Sequence, residues 1–302
     1  MEILPVVPRG YCKGVVRAIE IAKKCAQDYP DQKITVLGMI VHNQHIVDAL
    51  KNLNIHTVED KTKTRIELLD EIDEGVVIFT AHGISEQAKQ KAQDKGLICV
   101  DASCTDVIET QNIVKAKIND GYNVLYIGKK NHPEAEAVLA ISKQVRLVTS
   151  IDDLNIELDQ KIFVTNQTTM SILEIEEIIS EISKRWPEAE IMREICNATS
   201  IRQKAVLDLK DKNIDCLIVV GDPHSNNTTK LKVLGSECGI LNVLMIESIF
   251  DLKEEQIASH QRIAITSGAS TPTALTNQVI ETLRHYASTQ QFVYPEKTEN
   301  MI

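Results

Sequence analysis

The chain has 302 residues, of which 43% are hydrophobic, enough to bury one large core or several lobes of roughly 100 residues. Its formal net charge of −10 argues against nucleic acid as the main partner, because binding to phosphates requires basic patches. The apolar runs are strand-sized and the N-terminus lacks a secretory pattern, so we expect a cytoplasmic protein with no membrane segment.

Three times along the chain, the same elements follow one another. A cysteine precedes an amphipathic helix, an apolar strand ending in glycine follows, and a second apolar strand ends in threonine and a polar turn. The three cysteines are 92 residues apart, a period that the other four cysteines do not keep. In chain order, the elements are Cys12, helix 15–27 and strands 34–38 and 76–80; Cys104, helix 106–119 and strands 124–128 and 162–165; and Cys196, helix 200–212 and strands 217–221 and 263–266.

Alternating strands and helices predict parallel sheets with helices covering their faces. We therefore predict an α/β protein with three similar lobes at residues 1–103, 104–195 and 196–287, followed by a C-terminal arm at residues 288–302. Ligands of parallel sheets collect at the carboxyl ends of the strands. Lobes related by pseudo-threefold symmetry would bring three such ends, each with one cysteine, around a central cluster.

The three periodic cysteines are predicted to bind metal, since a helix N-terminus favours the thiolate form. Structural zinc normally takes four protein ligands, whereas the repeat offers three. A cubane iron–sulfur cluster held by three cysteines keeps one iron open, which favours a catalytic site. The remaining cysteines lie in apolar patterns and are interpreted as packing residues: Cys25, Cys99, Cys216 and Cys238.

Polar residues stand where the predicted strands end. His42, His82 and His132 occupy three such ends, and a bound diphosphate could hold these rings protonated. Ser225-Asn226-Asn227-Thr228 and Ser267-Gly268-Ala269-Ser270 supply donors at helix starts, where backbone N–H groups also favour anions. Neither run is a Walker loop, and such runs also serve as plain helix caps.

Glu134 follows His132 by two residues, directly after Pro133. A carboxyl inside a cavity that holds a cluster would have its pKa raised by desolvation, and it could deliver protons. The alternative is an ordinary acidic residue in the first turn of a helix, which the pattern alone slightly favours.

The chain contains seven specific motifs: Val41-His-Asn43, Ala81-His-Gly83, Asp101-Ala-Ser-Cys104, His132-Pro-Glu134, Gln167-Thr-Thr169, Cys196-Asn-Ala-Thr199 and Ser267-Gly-Ala-Ser270. In these motifs and their order the chain resembles the LytB family of 4-hydroxy-3-methylbut-2-enyl diphosphate reductases. The resemblance runs from Pro8 to Ser270, nearly the whole chain, with one departure at Asn226, where many relatives have a second serine. A second departure is the run Lys129-Lys130-Asn131 before His132, where relatives often have a His-Glu-Gly type sequence.

The resemblance implies a [4Fe–4S] cluster bound by Cys12, Cys104 and Cys196. It implies reductive dehydroxylation of an allylic diphosphate to isopentenyl and dimethylallyl diphosphate, the last step of the methylerythritol phosphate route to isoprenoids. Glu134 is implied as the proton source, and Thr168 as a proton relay or a ligand of the substrate hydroxyl. A ferredoxin or flavodoxin would supply electrons, and we expect a monomer. The residues implied to bind substrate are His42, His82, His132, Thr168, Ser225, Asn226, Asn227 and Ser270.

Two alternatives remain open at the level of the sequence. A second resemblance is to quinolinate synthase, which also has three α/β lobes around a three-cysteine cluster. The order of the motifs in this chain does not fit that enzyme. An iron–sulfur redox sensor without turnover would carry a partner-binding or nucleic-acid-binding module, and the sequence has no basic patch or motif of that kind.

Overall fold

The structure is a computed structural model that describes residues 1–158, 161–297 and 302. The strands in these residues form three four-stranded sheets, with orders β3-β2-β4-β5, β7-β6-β8-β9 and β1-β12-β10-β11, and every pairing is parallel. The strands are β1 (Glu2–Pro5), β2 (Ile34–Leu37), β3 (Ile55–Val58), β4 (Val76–Phe79), β5 (Ile98–Asp101), β6 (Asn123–Ile127), β7 (Val145–Val148), β8 (Ile162–Asn166), β9 (Glu190–Ile191), β10 (Cys216–Val220), β11 (Asn242–Ile246) and β12 (Arg262–Ser267).

The two central strands of each sheet are the ones that the sequence predicts. Strands β2, β4, β8 and β10 are buried along their whole length, because helices cover both faces of a parallel sheet. Such strands are continuous apolar runs, which is why the pattern reveals them. The pattern does not predict the outer strands, which are partly exposed and carry polar residues such as Arg146 in β7. The predicted three-lobe α/β fold is confirmed.

The N-terminal strand belongs to the sheet of the third lobe. β1 pairs in parallel with β12, with Leu4 beside Ala264, and the Glu2 carboxylate lies 2.9 Å from the Arg262 guanidinium. This differs from the predicted start of the first lobe at residue 1. The physical reason is that β12 would otherwise present an unpaired edge, which proteins cover. β1 thus occupies the edge position in its sheet that β5 and β9 occupy in the other two sheets. Each of these three edge strands is followed by one of the periodic cysteines.

The helices that follow the three periodic cysteines are also present. α1 and α5 match the predicted helices within two residues, whereas α8 ends at Leu207 because hydrogen bonds from Leu209 and Lys210 to residues three positions earlier tighten the chain into turns. The helices are α1 (Lys13–Asp28), α2 (Gln44–Lys51), α3 (Arg65–Leu68), α4 (Glu86–Asp94), α5 (Thr105–Asn119), α6 (Pro133–Leu139), α7 (Ile172–Arg185), α8 (Asn197–Leu207), α9 (Asn226–Glu237) and α10 (Thr273–Thr289). None in the described part of the chain is long and apolar enough to cross a membrane.

One compact unit comprises Met1–Val15, His42–Ala49 and Asn197–Ile302, and it contains the third sheet. Its core has two layers, because alternate residues of β10 point to opposite faces: Ile218 packs in one apolar cluster and Leu217 in the other. The helix α10 extends to Thr289, beyond the predicted lobe boundary. Part of the predicted C-terminal arm packs on this core, where the Tyr294 hydroxyl donates to the carbonyl of Leu252 at 2.8 Å. Residues 298–301 of that arm lie outside the described residues.

The other compact unit comprises Val16–Val41 and Leu50–Cys196, and it contains the first and second sheets. A buried arginine on α3 links these two lobes. The backbone N–H of Arg65 donates to the carboxylate of Glu136 on α6 at 2.8 Å, and its guanidinium lies 3.3 Å from Glu59. That guanidinium fills the space above Gly38, where an added Cβ would lie 2.5 Å from it.

Replacing Arg65 with methionine is expected to lower the free energy of unfolding by about 1–3 kcal/mol, because Glu59 loses the partner of a largely buried ion pair. The estimate lies below that for a fully buried pair, since the Glu59 side chain is 23% exposed. The urea midpoint of unfolding measures the effect. Lys63→Met is the control, because it breaks an exposed pair with Glu71 and should change little. Equal midpoints for the two variants would contradict the assignment.

Candidate active site

The three periodic cysteines share one structural position. Each stands at the start of a helix and follows an edge strand of a sheet: Cys104 is the N-cap of α5, while Cys12 and Cys196 directly precede α1 and α8. The Cys12 sulfur accepts the N–H of Val15 at 3.5 Å, as an N-cap side chain does. The backbone N–H of each cysteine donates, at 3.0 Å, to a carbonyl in the turn after the central strand that pairs with this edge strand. The acceptors are Ala81 after β4 for Cys104, Thr168 after β8 for Cys196 and Ala269 after β12 for Cys12.

The other four cysteines pack in the lobes, as the sequence predicts. Cys25, Cys216 and Cys238 are buried, and Cys99 packs against the first-lobe core while remaining partly exposed. Burial raises the pKa of the Cys25 thiol to about 11 and that of Cys216 to about 12, and it also raises the pKa of Cys99 and Cys238. These thiols therefore stay protonated near neutral pH, unlike thiolates that bind metal.

The carboxyl of Glu134 is buried in the second lobe, with 1% of the residue exposed. Its Oε1 accepts the backbone N–H of Thr168 at 2.8 Å, and its Oε2 accepts the Thr168 hydroxyl at 3.0 Å. Burial raises the pKa of Glu134 to about 7, although the bonds from Thr168 and from the Tyr126 hydroxyl pull the pKa down. Asp106 raises it further through charge repulsion. Near neutrality, Glu134 can therefore both hold and release a proton.

Tyr126 is a residue of this site that the sequence analysis does not predict. It lies on β6, is fully buried, and donates its hydroxyl to Glu134 Oε1 at 3.3 Å. The available signal is a tyrosine inside an otherwise apolar buried strand, because a buried phenol must find a hydrogen-bond partner.

Two of the predicted histidines lie together in the unit that contains Glu134. The rings of His82 and His132 meet edge to face, with their centroids 5.6 Å apart. His132 is the N-cap of α6, and its Nδ1 accepts the N–H of Glu134 at 3.2 Å. Nδ1 of His132 is thus the acceptor at the start of α6. The prediction that a bound diphosphate holds this ring protonated stays a prediction.

The remaining predicted anion-binding residues lie in the other unit. The Ser270 hydroxyl donates to the carbonyl of His42 at 3.0 Å and lies 3.4 Å from the Ser225 hydroxyl. Ser225 is the N-cap of α9, the helix whose first two residues are the buried Asn226 and Asn227. These side chains and the first N–H groups of α9 form a set of polar groups suited to a phosphate.

A buried amide in this set is suited to an anion. The Oδ1 atom of Asn227 is buried without a hydrogen-bond partner, while its amide nitrogen lies 3.4 Å from the Thr199 hydroxyl. Exchanging the oxygen and nitrogen of this amide would leave a buried donor for an anion. The neighbouring turn also approaches closely: an added Cβ on Gly268 would lie 2.1 Å from the Thr228 hydroxyl. Only glycine therefore lets this strand end meet the start of α9.

The cysteine set fits an iron–sulfur cluster by its donor chemistry. The three thiols are partly exposed and stand at helix starts, where the thiolate is favoured. Among the described residues, no group of three or more His, Cys, Asp or Glu side chains is arranged around one point, as for a single metal ion. A cubane cluster sets a different requirement, because each thiolate binds its own iron.

Comparison with known proteins identifies the family of the chain. The profile of the family described as LytB protein matches residues 3–284. The chain belongs to the LytB family. It is 42% identical over 291 residues to a 4-hydroxy-3-methylbut-2-enyl diphosphate reductase of Geobacillus sp. (strain WCH70), which covers 95% of this chain and 91% of that protein. It is 43% identical over 301 residues to the reductase of the same name from Bacillus cytotoxicus, covering 98% and 95%.

Two solved structures of LytB-type reductases resemble the chain. The E-1-hydroxy-2-methyl-but-2-enyl-4-diphosphate reductase from Plasmodium falciparum has a TM-score of 0.88 at 30% identity, covering 100% of this chain and 94% of that one. An (E)-4-hydroxy-3-methyl-but-2-enyl diphosphate reductase, described as the terminal enzyme of the non-mevalonate pathway, has a TM-score of 0.65 at 29% identity, covering 94% and 100%. The LytB membership predicted from the motifs is therefore confirmed.

Proposed function

We propose that the protein reduces 4-hydroxy-3-methylbut-2-enyl diphosphate to isopentenyl and dimethylallyl diphosphate, the last step of the methylerythritol phosphate route. The reaction removes the allylic hydroxyl as water and consumes two electrons and two protons. The buried Glu134–Thr168 pair carries the proposal, because such a reaction needs a proton donor in a water-poor site. Relatives over 40% identical along nearly the whole chain bear the name of this reductase.

Cys12, Cys104 and Cys196 are the residues that would hold a [4Fe–4S] cluster. Their support is the shared backbone anchor, which places each thiol at the same point of the repeat. When bound, a cluster with three cysteine ligands supplies single electrons and one iron that is open to a substrate oxygen. An iron–sulfur sensor would need the same thiols, but it would have no use for Glu134.

The proton on Glu134 is expected to reside on Oε2. Oε1 already accepts two hydrogen bonds, from the Thr168 N–H and the Tyr126 hydroxyl, whereas Oε2 faces only the Thr168 hydroxyl among these groups. A proton on Oε2 reverses the direction of that hydrogen bond, because the protonated carboxyl then donates to the Thr168 hydroxyl oxygen. The hydroxyl hydrogen of Thr168 is thereby released toward a leaving oxygen. In this mechanism Glu134 is the proton source and Thr168 the relay.

The diphosphate would be bound by polar residues at strand ends and helix starts. His82 and His132 are ring donors beside Glu134, and the start of α9 offers backbone N–H groups. Asn226 keeps an amide donor at the position where many relatives have serine. The full proposed set is His42, His82, His132, Thr168, Ser225, Asn226, Asn227 and Ser270. Holding the phosphates fixes the allylic hydroxyl relative to Glu134, which lowers the entropic barrier of the reaction.

The rate of turnover is expected to fall as the pH rises through about 7. Glu134 must be protonated to act as an acid, and burial raises its pKa to about 7, so the active form is lost above that pH. The measurement is kcat at saturating substrate across neutral pH, with cluster absorbance recorded at each pH. An intact cluster together with a flat profile would contradict the role of Glu134.

The cellular setting follows from the same chemistry. We propose that the protein works in the cytoplasm, because thiolate ligands need a reducing compartment. We also propose that it is a monomer. Single electrons would come from a ferredoxin or a flavodoxin. Either donor should support product formation where an NADH-only mixture does not.

The experiment that tests the proposed function is product analysis after anaerobic incubation of the cluster-reconstituted protein with reduced viologen. Appearance of both five-carbon diphosphates from 4-hydroxy-3-methylbut-2-enyl diphosphate is the expected result. Electron uptake by an intact cluster without any product would instead favour a sensor. Dicarboxylates, the substrate class of a quinolinate synthase, should give no product.

A further inference from the structure

Tyr126 is enclosed by the core of the second lobe. It is fully buried on β6, within an apolar cluster that includes Val114 from α5, Val138 from α6 and Phe163 from β8. The chain after the strand also holds the ring in place. An added Cβ on Gly128 would lie 2.9 Å from Cε1 of Tyr126, so the ring occupies the space above that glycine. The ring therefore has one position in a close-packed environment.

The polar end of this ring reaches the proposed proton donor. The hydroxyl donates to Glu134 Oε1 at 3.3 Å, and the same oxygen accepts the Thr168 N–H at 2.8 Å. The two donors come from different elements, β6 and the turn after β8. Together they occupy Oε1, which leaves Oε2 turned to the Thr168 hydroxyl at 3.0 Å.

We propose that Tyr126 is a positioning residue, which holds the Glu134 carboxyl in the orientation needed for proton transfer through Thr168 and stabilises its ionised form. This inference rests on the proposed function, in which Glu134 is the acid. Packing in the apolar cluster around β6 accounts for the ring of Tyr126, and the proposal adds a role for its hydroxyl.

Tyr126 is a hydrogen-bond donor to Glu134 and not the proton donor of the reaction. Burial raises the pKa of the Tyr126 phenol well above its ordinary value, so it keeps its proton near neutrality. Among the described residues, Asp106 on α5 disfavours the ionised form of Glu134, and Nδ1 of His132 accepts the backbone N–H of Glu134. The hydrogen bonds from Tyr126 and Thr168 favour the ionised form.

The test is the protonation of Glu134 in the reconstituted holoenzyme with Tyr126→Phe. The carboxyl stretching band in the infrared spectrum, assigned by its loss in Glu134→Gln, is titrated in both proteins. Removing a donor to the carboxylate should move the midpoint upward by about half a unit to one unit. The falling limb of kcat against pH should move by the same amount, with KM unchanged.

The matched control is Tyr122→Phe. Tyr122 lies in the same lobe, packs against Phe163, and interacts with the carboxylate of Glu190 outside the site. This control should leave the Glu134 midpoint in place. A Tyr126→Phe midpoint equal to that of the wild type would overturn the proposal.

A second variant covers the case in which Tyr126→Phe fails to fold. Site-specific 3-fluorotyrosine at position 126 keeps the ring and makes its hydroxyl a stronger donor, so the midpoint should move downward. No movement would equally overturn the proposal. The infrared titration does not depend on turnover. A shift in a protein that forms no product would therefore support the role of Tyr126 while rejecting the proposed function.

Discussion

Glu134→Gln is expected to lower kcat by about 10²–10⁴-fold, the usual contribution of a positioned general acid. Glutamine keeps the shape of the side chain and can still bind Thr168, but it has no proton to give at neutral pH. Because the carboxyl is buried, water has little access to take over the task. The cluster absorbance and the KM should change little, since the substitution leaves the cysteines and the histidines in place.

Glu86→Gln is the matched control for this prediction. Glu86 stands in the first turn of α4, as Glu134 does in α6, but it pairs with Lys115 at the surface. Its variant should keep the wild-type rate. A Glu134→Gln protein that turns over within a few-fold of the wild type, with an intact cluster, would remove Glu134 from the mechanism.

Cys104→Ser is expected to abolish both the visible absorbance of the reconstituted cluster and turnover. Serine is a poor ligand for iron compared with a thiolate, and two remaining cysteines cannot hold a cubane. The fold should survive, because Cys104 is partly exposed. Its hydrogen bond to the Ala81 carbonyl is made by the backbone N–H, which the substitution retains. Iron and sulfide content after anaerobic reconstitution measures the loss.

Three further variants give this prediction its control. Cys12→Ser and Cys196→Ser should behave like Cys104→Ser, since all three occupy the same place in the repeat. Cys99→Ser should keep the full cluster, because this thiol packs on the first-lobe core and donates weakly to the carbonyl of Leu97. Equal iron content in Cys99→Ser and Cys104→Ser would show that the cysteine assignment is wrong.

The sequence predicts those features that local patterns encode. Central strands such as β10 are apolar without alternation because both faces are covered, and the cysteines keep a constant period because each precedes a helix of the repeat. The family membership follows from motifs at the strand ends, where side chains of parallel sheets face ligands.

Other features depend on contacts between distant parts of the chain. The pairing of β1 with β12 joins residues at opposite ends of the sequence, and no local pattern indicates which sheet an edge strand will join. The hydroxyl of Tyr126 meets Glu134 only because β6 and α6 are packed in one way. The capping bond from the Glu134 N–H to His132 likewise exists only because α6 begins at Pro133.

The most direct test of the whole account is the electron balance of a single anaerobic reaction. Reduced methyl viologen carries one electron, so two molecules should be oxidised for each five-carbon diphosphate formed from 4-hydroxy-3-methylbut-2-enyl diphosphate by the reconstituted protein. That ratio, with no oxidation when substrate is omitted, is the predicted result. Viologen oxidation that is independent of substrate, or that leaves the allylic diphosphate unchanged, would contradict a reductase and leave only a redox-active iron–sulfur protein.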